Sequence, residues 1–133
     1  MLIPTTRYRD CETALAFLTE VLGLSEHAVH RDALGQIVHA ELMLGQGMVM
    51  FGPWSKGAFD QFMVDPTSVG GETTTIYGVV DDLAARYQRI VDAGADVVLP
   101  LEEQSYGGGN FSVRDPEGHV WSFGDYDPLA GRG

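Results

Sequence analysis

The sequence predicts an α+β fold of two βαβββ modules, which form a cupped, incompletely closed mixed sheet with helices outside. Three observations carry this reading. Two helical segments share one framework: RYRDCETALAFLTEVLGL holds Asp10 and Gly23, and VVDDLAARYQRIVDAGAD holds Asp81 and Gly94, at an offset of 71 residues. Each helix follows one apolar stretch and precedes three more that alternate with a period of two. The length of 133 residues suits one domain, or two half-sized modules sharing a core, and is too short for two ordinary domains.

The elements follow in order. Ile3, Thr5 and Arg7 alternate with Pro4, Thr6 and Tyr8 as a first strand. Asp10 can accept bonds from the free amides of a first helical turn, and Gly23 supplies the positive φ that ends a helix. Between them Ala14, Leu15, Leu18, Val21 and Leu22 recur at helical spacing, so one stripe faces a core. Strands follow over Glu26–His30, after Gln36 up to Gly45, and from Met48 to Gly52, the last two joined by a Gly-Gln-Gly turn. The second module repeats the plan. A strand around Thr75–Val80 leads to the Asp81 cap and a helix with Leu83, Tyr87, Ile90 and Val91 on its stripe. After Gly94 come strands at Asp96–Pro100, Gly109–Arg114 and His119–Gly124, with Asp115-Pro116-Glu117-Gly118 as a tight turn.

The boundaries are therefore 1–52 for the first module, 53–73 for a bridge, 74–126 for the second module and 127–133 for a tail, all in one domain over 1–133. The bridge carries Trp54, Phe59, Phe62 and Met63 among small polar residues, which suits a folded-back flap better than a tether.

Composition narrows function. Hydrophobic residues make up 44% and charged residues 20%, which excludes a disordered or fibrous chain. Nineteen acidic and eight basic side chains give a formal charge of −11, which repels nucleic acid and anionic membranes and favours a neutral or cationic guest. The single Cys excludes an internal disulfide or a thiolate metal cluster. In the first helical turn, Cys11 sits between Asp10 and Glu12, which oppose thiolate formation. No basic-then-apolar leader opens the sequence, and a cytoplasmic location is expected.

The strand period then sorts side chains. Val38, Ala40, Leu42 and Leu44 make an apolar face, and helices must cover such faces. Arg7, His39, Glu41, Phe51, Tyr77 and Ser122 are assigned to the opposite, open side. This mixed lining suits a ligand pocket. Within it, Arg7 and Glu41 are expected to pair, with His39 beside them. Trp54 is placed as a stacking wall and Tyr106, after which three glycines follow, at the rim; with the six lining residues these complete the expected ligand-binding set.

At this point the residues resemble a known family. The opening IPTTRYRD, the helix ALAFLTEVLG, the strands HAELMLGQGMVMFG and above all YGGGNFSVRDPEGHVWSFGDYDP are similar to the vicinal oxygen chelate superfamily, which contains glyoxalase I, bleomycin-resistance proteins and extradiol dioxygenases; the PhnB-like branch is the most similar. The resemblance implies paired βαβββ modules, homodimers and a ligand site in the cup. It also implies four metal ligands, which map here onto Ile3, Phe51, Thr75 and Ser122. None of these is an imidazole or carboxylate, so no metal or other cofactor is expected at the family's site. Two functions follow. The first is a non-catalytic trap for a neutral or cationic aromatic compound, as bleomycin-resistance proteins sequester their drug. The second is a metal-free or noncanonical lyase or isomerase, with His39 or Glu41 moving a proton and Arg7 stabilising an enolate-like charge.

Overall fold

The protein, a computed structural model, is described over residues 1–55, 57–103 and 108–130. The first module runs β1 (Thr5–Tyr8), α1 (Cys11–Ala16), β2 (Ser25–Arg31), β3 (Ile37–Leu44) and β4 (Gly47–Pro53). The bridge holds a 3-10 turn at Ala58–Gln61 and α2 (Pro66–Val69). The second module runs β5 (Ile76–Val79), α3 (Leu83–Asp92), β6 (Asp96–Glu103), β7 (Gly109–Arg114) and β8 (Val120–Gly124). The strand orders β1-β4-β3-β2 and β5-β8-β7-β6 are the same topology twice. In each sheet the first strand lies parallel to the last, because the helix carries the chain across, and the other pairs are antiparallel.

The helices form as their caps and stripes require, with three departures. Asp10 accepts from the Thr13 amide at 3.0 Å, and Gly23 leaves the first helix at φ +83°. Between them α1 continues as a π-helical turn over Phe17–Val21, wider than the expected α-turns. The second cap shifts by one residue: Asp82, not Asp81, precedes α3, and it binds Arg86 (3.1 Å) instead of capping an amide. The buried stripe of α3 is Leu83, Arg86 and Ile90, whereas Val91 is exposed. Arg86 takes a place no hydrophobic count would assign because its guanidinium has partners there. It donates to the Leu22 carbonyl at the end of the first helical segment and lies 5.7 Å from the Phe123 ring centroid.

The helices flank the sheets, and one core spans both modules. Tyr8, Leu18, Leu42 and Phe51 from the first meet Ile90, Phe111, Trp121 and Phe123 from the second. Asp115, 4% exposed in the β7–β8 turn, ties the halves together. It accepts from Tyr8 Oη (2.6 Å), Trp121 Nε1 (3.1 Å) and the amides of Glu117 and His119 (3.0 Å each). Its neighbour Glu117 accepts from the amides of Arg9 and Asp10, at 2.7 and 2.9 Å. The turn thus has the structural use its sequence suggests, with a long-range bond set added. Tyr8 stays neutral accordingly: burial and the Asp115 carboxylate push its pKa well above the ordinary value of 10.0.

The bridge is pinned at Asp65 and at Glu72 and exposed at other points. Asp65 accepts from the Thr67 and Ser68 hydroxyls and pairs with Arg9 at 2.8 Å, while Phe62 and Val64 are exposed. The Ser68 and Thr67 hydrogen bonds, then Arg9, hold the Asp65 carboxyl at about 2, down from 3.8. A depressed carboxyl pKa stabilises the fold above the unfolded value, and that contribution is lost as pH falls through the folded value. Melting temperature should therefore drop between about pH 4 and pH 2, and Asp65→Asn should flatten that slope in thermal melts across the window. An unchanged slope would assign acid sensitivity elsewhere.

Candidate functional site

Register decides which side chains reach the open face of each sheet. In the first module, Arg7 pairs with Gly52, Ala40 with Phe51, and Glu41 with Met50. Ile3, Thr5, Arg7, His39, Glu41, Met48, Met50 and Gly52 therefore share the face away from the core. The sequence placed Phe51 there too, and this is corrected: Phe51 is 2% exposed on the covered side, its ring edge-on to Tyr8 at 5.2 Å between centroids.

The cause is one inserted residue. The Met43–Met48 pair encloses residues 44–47, whereas Arg114–Val120 encloses 115–119, one more. Beyond the hairpin the modules correspond at an offset of 72, so Phe51 matches Phe123 and Met50 matches Ser122. Val38 also departs from its expected apolar face. The register shift between His30 and Arg31 puts Ile37 into the core and leaves Val38 46% exposed.

The polar group of this face is richer than expected. His39 Nε2 lies 2.9 Å from Glu41 Oε2, His27 Nε2 lies 3.9 Å from Glu41 Oε1, and the rings of His30 and His39 stack at 5.8 Å. Glu41 thus takes His39 as its partner, where the sequence expected Arg7. That hydrogen bond, then the nearby histidines, lowers the Glu41 pKa. The Arg7 guanidinium lies over Gly52, where an added Cβ would sit 2.7 Å from Nη1 and 3.1 Å from the Val38 carbonyl oxygen. Sequence reasoning missed His27, because the irregular pairing between Glu26 and Ala28 is what brings it to Glu41. Beside this group Met43, Met48 and Met50 form a half-buried, polarisable strip.

In the second module Tyr77 and Ser122 are register partners and share the open face, as expected. Ser122 Oγ contacts Ser112 Oγ at 2.7 Å and Thr75 Oγ1 at 3.1 Å. Tyr77 Oη donates to the Tyr126 carbonyl at 2.8 Å, and its ring runs across Gly124. Trp54 is half-buried just past β4, its amide bonded to the Tyr8 carbonyl at 3.2 Å; its indole Nε1 is buried with no hydrogen-bond partner among the described residues. Tyr106 lies outside the described residues.

Two recesses flank these faces. One of about 510 Å³ lies beneath the bridge between the edges of β1 and β5, lined by Thr5, Phe62, Met63, Glu72, His119 and Val120. There His119 Nδ1 meets Glu72 at 2.8 Å, and its other nitrogen meets the Arg7 carbonyl at 3.2 Å. The other recess, about 500 Å³, is an apolar cleft at the seam between the modules, lined by Leu42, Leu44, Ile76, Trp121 and Phe123. Its lining also takes in Met48 and Tyr77 but not Arg7, His39 or Glu41. Cys11 serves neither, since burial, with Glu117 and Asp10 adding to it, pushes its thiol up to about 11.

The donor set does not fit the metal that the resemblance implies. With Phe51 replaced by Met50, the four matched positions are Ile3, Met50, Thr75 and Ser122, and two of these are hydroxyls already bonded to each other. Among the described residues no three His, Cys, Asp or Glu side chains are grouped to hold an ion. Among them, too, no helix is long and apolar enough to cross a membrane.

Comparison with known proteins accords with this architecture. The uncharacterized protein Rv0887c of Mycobacterium tuberculosis is 39% identical over 115 residues, 86% of this chain and 68% of that protein. TioX from Micromonospora sp. ML1 superposes with a TM-score of 0.75 at 31% identity, over 93% of this chain and 94% of its own. The bleomycin resistance determinant encoded on transposon Tn5 gives 0.67 at 22% identity, over 96% and 98%, a likeness of fold. The profile of the Glyoxalase/Bleomycin resistance protein/Dioxygenase superfamily matches residues 4–123, and the chain belongs to that superfamily.

Proposed function

We propose that this protein binds and sequesters a neutral or cationic aromatic small molecule on its open sheet faces, without metal chemistry. The observation that carries this reading is the donor set: isoleucine, methionine and two hydroxyls stand where a divalent ion would need imidazoles or carboxylates. A methionine strip adapts to flat apolar guests, and the −11 charge raises the local concentration of cations. The segment YGGGNFSVRDPEGHVWSFGDYDP supports the PhnB-like branch within the superfamily.

The working unit in this proposal is a cytoplasmic homodimer. The chain exposes 8199 Å², against about 6,800 Å² for a compact monomer of its mass. That surplus exceeds the roughly 800 Å² that one partner gives a standard interface.

The test is calorimetry and tryptophan fluorescence against bleomycin and a panel of cationic aromatics. Binding with a dissociation constant of about 1 μM or tighter is expected for at least one of them, together with a dimer mass by light scattering. No heat and no quenching across the panel would overturn the reading. The metal-free lyase or isomerase remains a second reading because His39 and Glu41 form a hydrogen-bonded acid–base pair on the same face. It requires that His39→Gln and Glu41→Gln abolish a turnover that wild-type protein shows. Under the trap reading neither wild type nor variant turns over, and only affinity changes.

A further inference from the structure

We infer that the hydroxyl row Thr75–Ser122–Ser112 on the open face of the second module accepts hydrogen bonds from a ligand rather than donating them, and that it selects a ligand carrying a protonated amine. This rests on the small-molecule reading above and deepens it to a ligand class. The hydroxyls of Thr75, Ser122 and Ser112 form one row.

A hydroxyl has one hydrogen to give and two lone pairs. Thr75 gives its hydrogen to the Val120 carbonyl at 3.0 Å, which can only accept. The 3.1 Å contact between Thr75 and Ser122 must then be donated by Ser122. With the Ser122 hydrogen spent, the 2.7 Å contact to Ser112 must be donated by Ser112. The row is polarised in one direction and ends on a backbone carbonyl. Ser112 is only 7% exposed and serves to position Ser122, while Thr75 is exposed and Ser122 half-exposed. Tyr77, the register partner of Ser122, likewise commits its phenolic hydrogen, to the Tyr126 carbonyl.

Each of Thr75 and Ser122 therefore retains one lone pair and no hydrogen. Two acceptors 3.1 Å apart suit an ammonium group with its several hydrogens. They offer nothing to a carboxylate or phosphate, and nothing directional to a quaternary ammonium. The field of the −11 chain acts in the same sense. Thr75 and Ser122 are thus the specificity-determining residues of this face.

The experiment compares two fluorescent probes with the same ring and charge, 1-pyrenemethylammonium and its N,N,N-trimethyl analogue, by titration at neutral pH. Wild-type protein should prefer the primary ammonium by about tenfold or more, the scale of hydrogen bonds to a charged group. Ser122→Ala deletes the central acceptor. Thr75→Val keeps the side-chain shape but frees the Ser122 hydrogen to point outward, and it remains informative if Ser122→Ala does not fold. Each variant that melts near wild type by circular dichroism should bring the preference to within about twofold. Equal affinity of wild type for the two probes would overturn the inference while leaving the small-molecule reading intact, and so would a preference retained in the variants. Failure of both probes, and of the wider panel, would overturn the reading itself and this inference with it.

Discussion

Asp115→Ala is expected to cost about 3–5 kcal/mol of stability. Its carboxylate serves four donors from three places: the Tyr8 phenol, the Trp121 indole and the amides of Glu117 and His119. Tyr8 is 0% exposed and Trp121 3%, so neither finds water easily once the carboxylate is gone. Each buried donor left unpaired costs about 1–3 kcal/mol, and the gap left by the carboxylate admits water that recovers part of the sum. For a chain of 133 residues this translates to a fall in melting temperature of roughly 10–18 °C. Tyr8→Phe alone should cost about 1 kcal/mol, and much less in the Asp115→Ala background, because the two changes remove the same bond. A melting temperature within about 3 °C of wild type would show that the turn does not hold the modules together.

Phe123→Ala should cost a similar amount by a different route. The ring is 1% exposed, packs on Phe111 at 5.5 Å between centroids, and lies beneath the Arg86 guanidinium. Gly78 leaves it room: an added Cβ there would sit 2.6 Å from Leu44 Cδ2 and 3.1 Å from Phe123 Cδ1. Truncating such a ring costs about 3–5 kcal/mol, as lost transfer energy plus the cavity left behind. Phe123 also lines the seam cleft of about 500 Å³, so the new space joins an opening that already reaches solvent. Trp121, on the same wall, should report the change as a red-shifted emission in the folded state. Phe123→Leu should restore most of the stability and the blue emission. If Phe123→Ala melts like wild type with unshifted emission, the seam is not the shared core described above.

Much of the fold was legible because periodicity and caps are local. Asp10, Gly23 and Gly94 mark helix ends through backbone chemistry that each residue carries with it, and alternation marks strands in the same way. Faces were less legible, since a single inserted residue reverses every assignment beyond it. The β7–β8 connection is one residue longer than its counterpart, and this placed Phe51 on the wrong side and hid Met50. Arg86 and His27 escaped for related reasons. A buried guanidinium makes sense only once the Leu22 carbonyl and the Phe123 ring are beside it, and His27 reaches Glu41 only through an irregular pairing.

By itself, then, the sequence determined two βαβββ modules, their internal repeat, and a set of matched positions without metal ligands. The modules and the repeat follow from residue type and spacing, which the chain carries before it folds, and the matched positions are what the family resemblance implies. Only the tertiary structure decided that Asp115 binds Tyr8 across |i−j| = 107, that Glu41 takes His39 as its partner, and that Thr75, Ser122 and Ser112 form one polarised row. The reason is physical. A hydrogen bond has a direction and a reach of about 3 Å, and no spacing along the chain states which groups the packing of two sheets will bring that close.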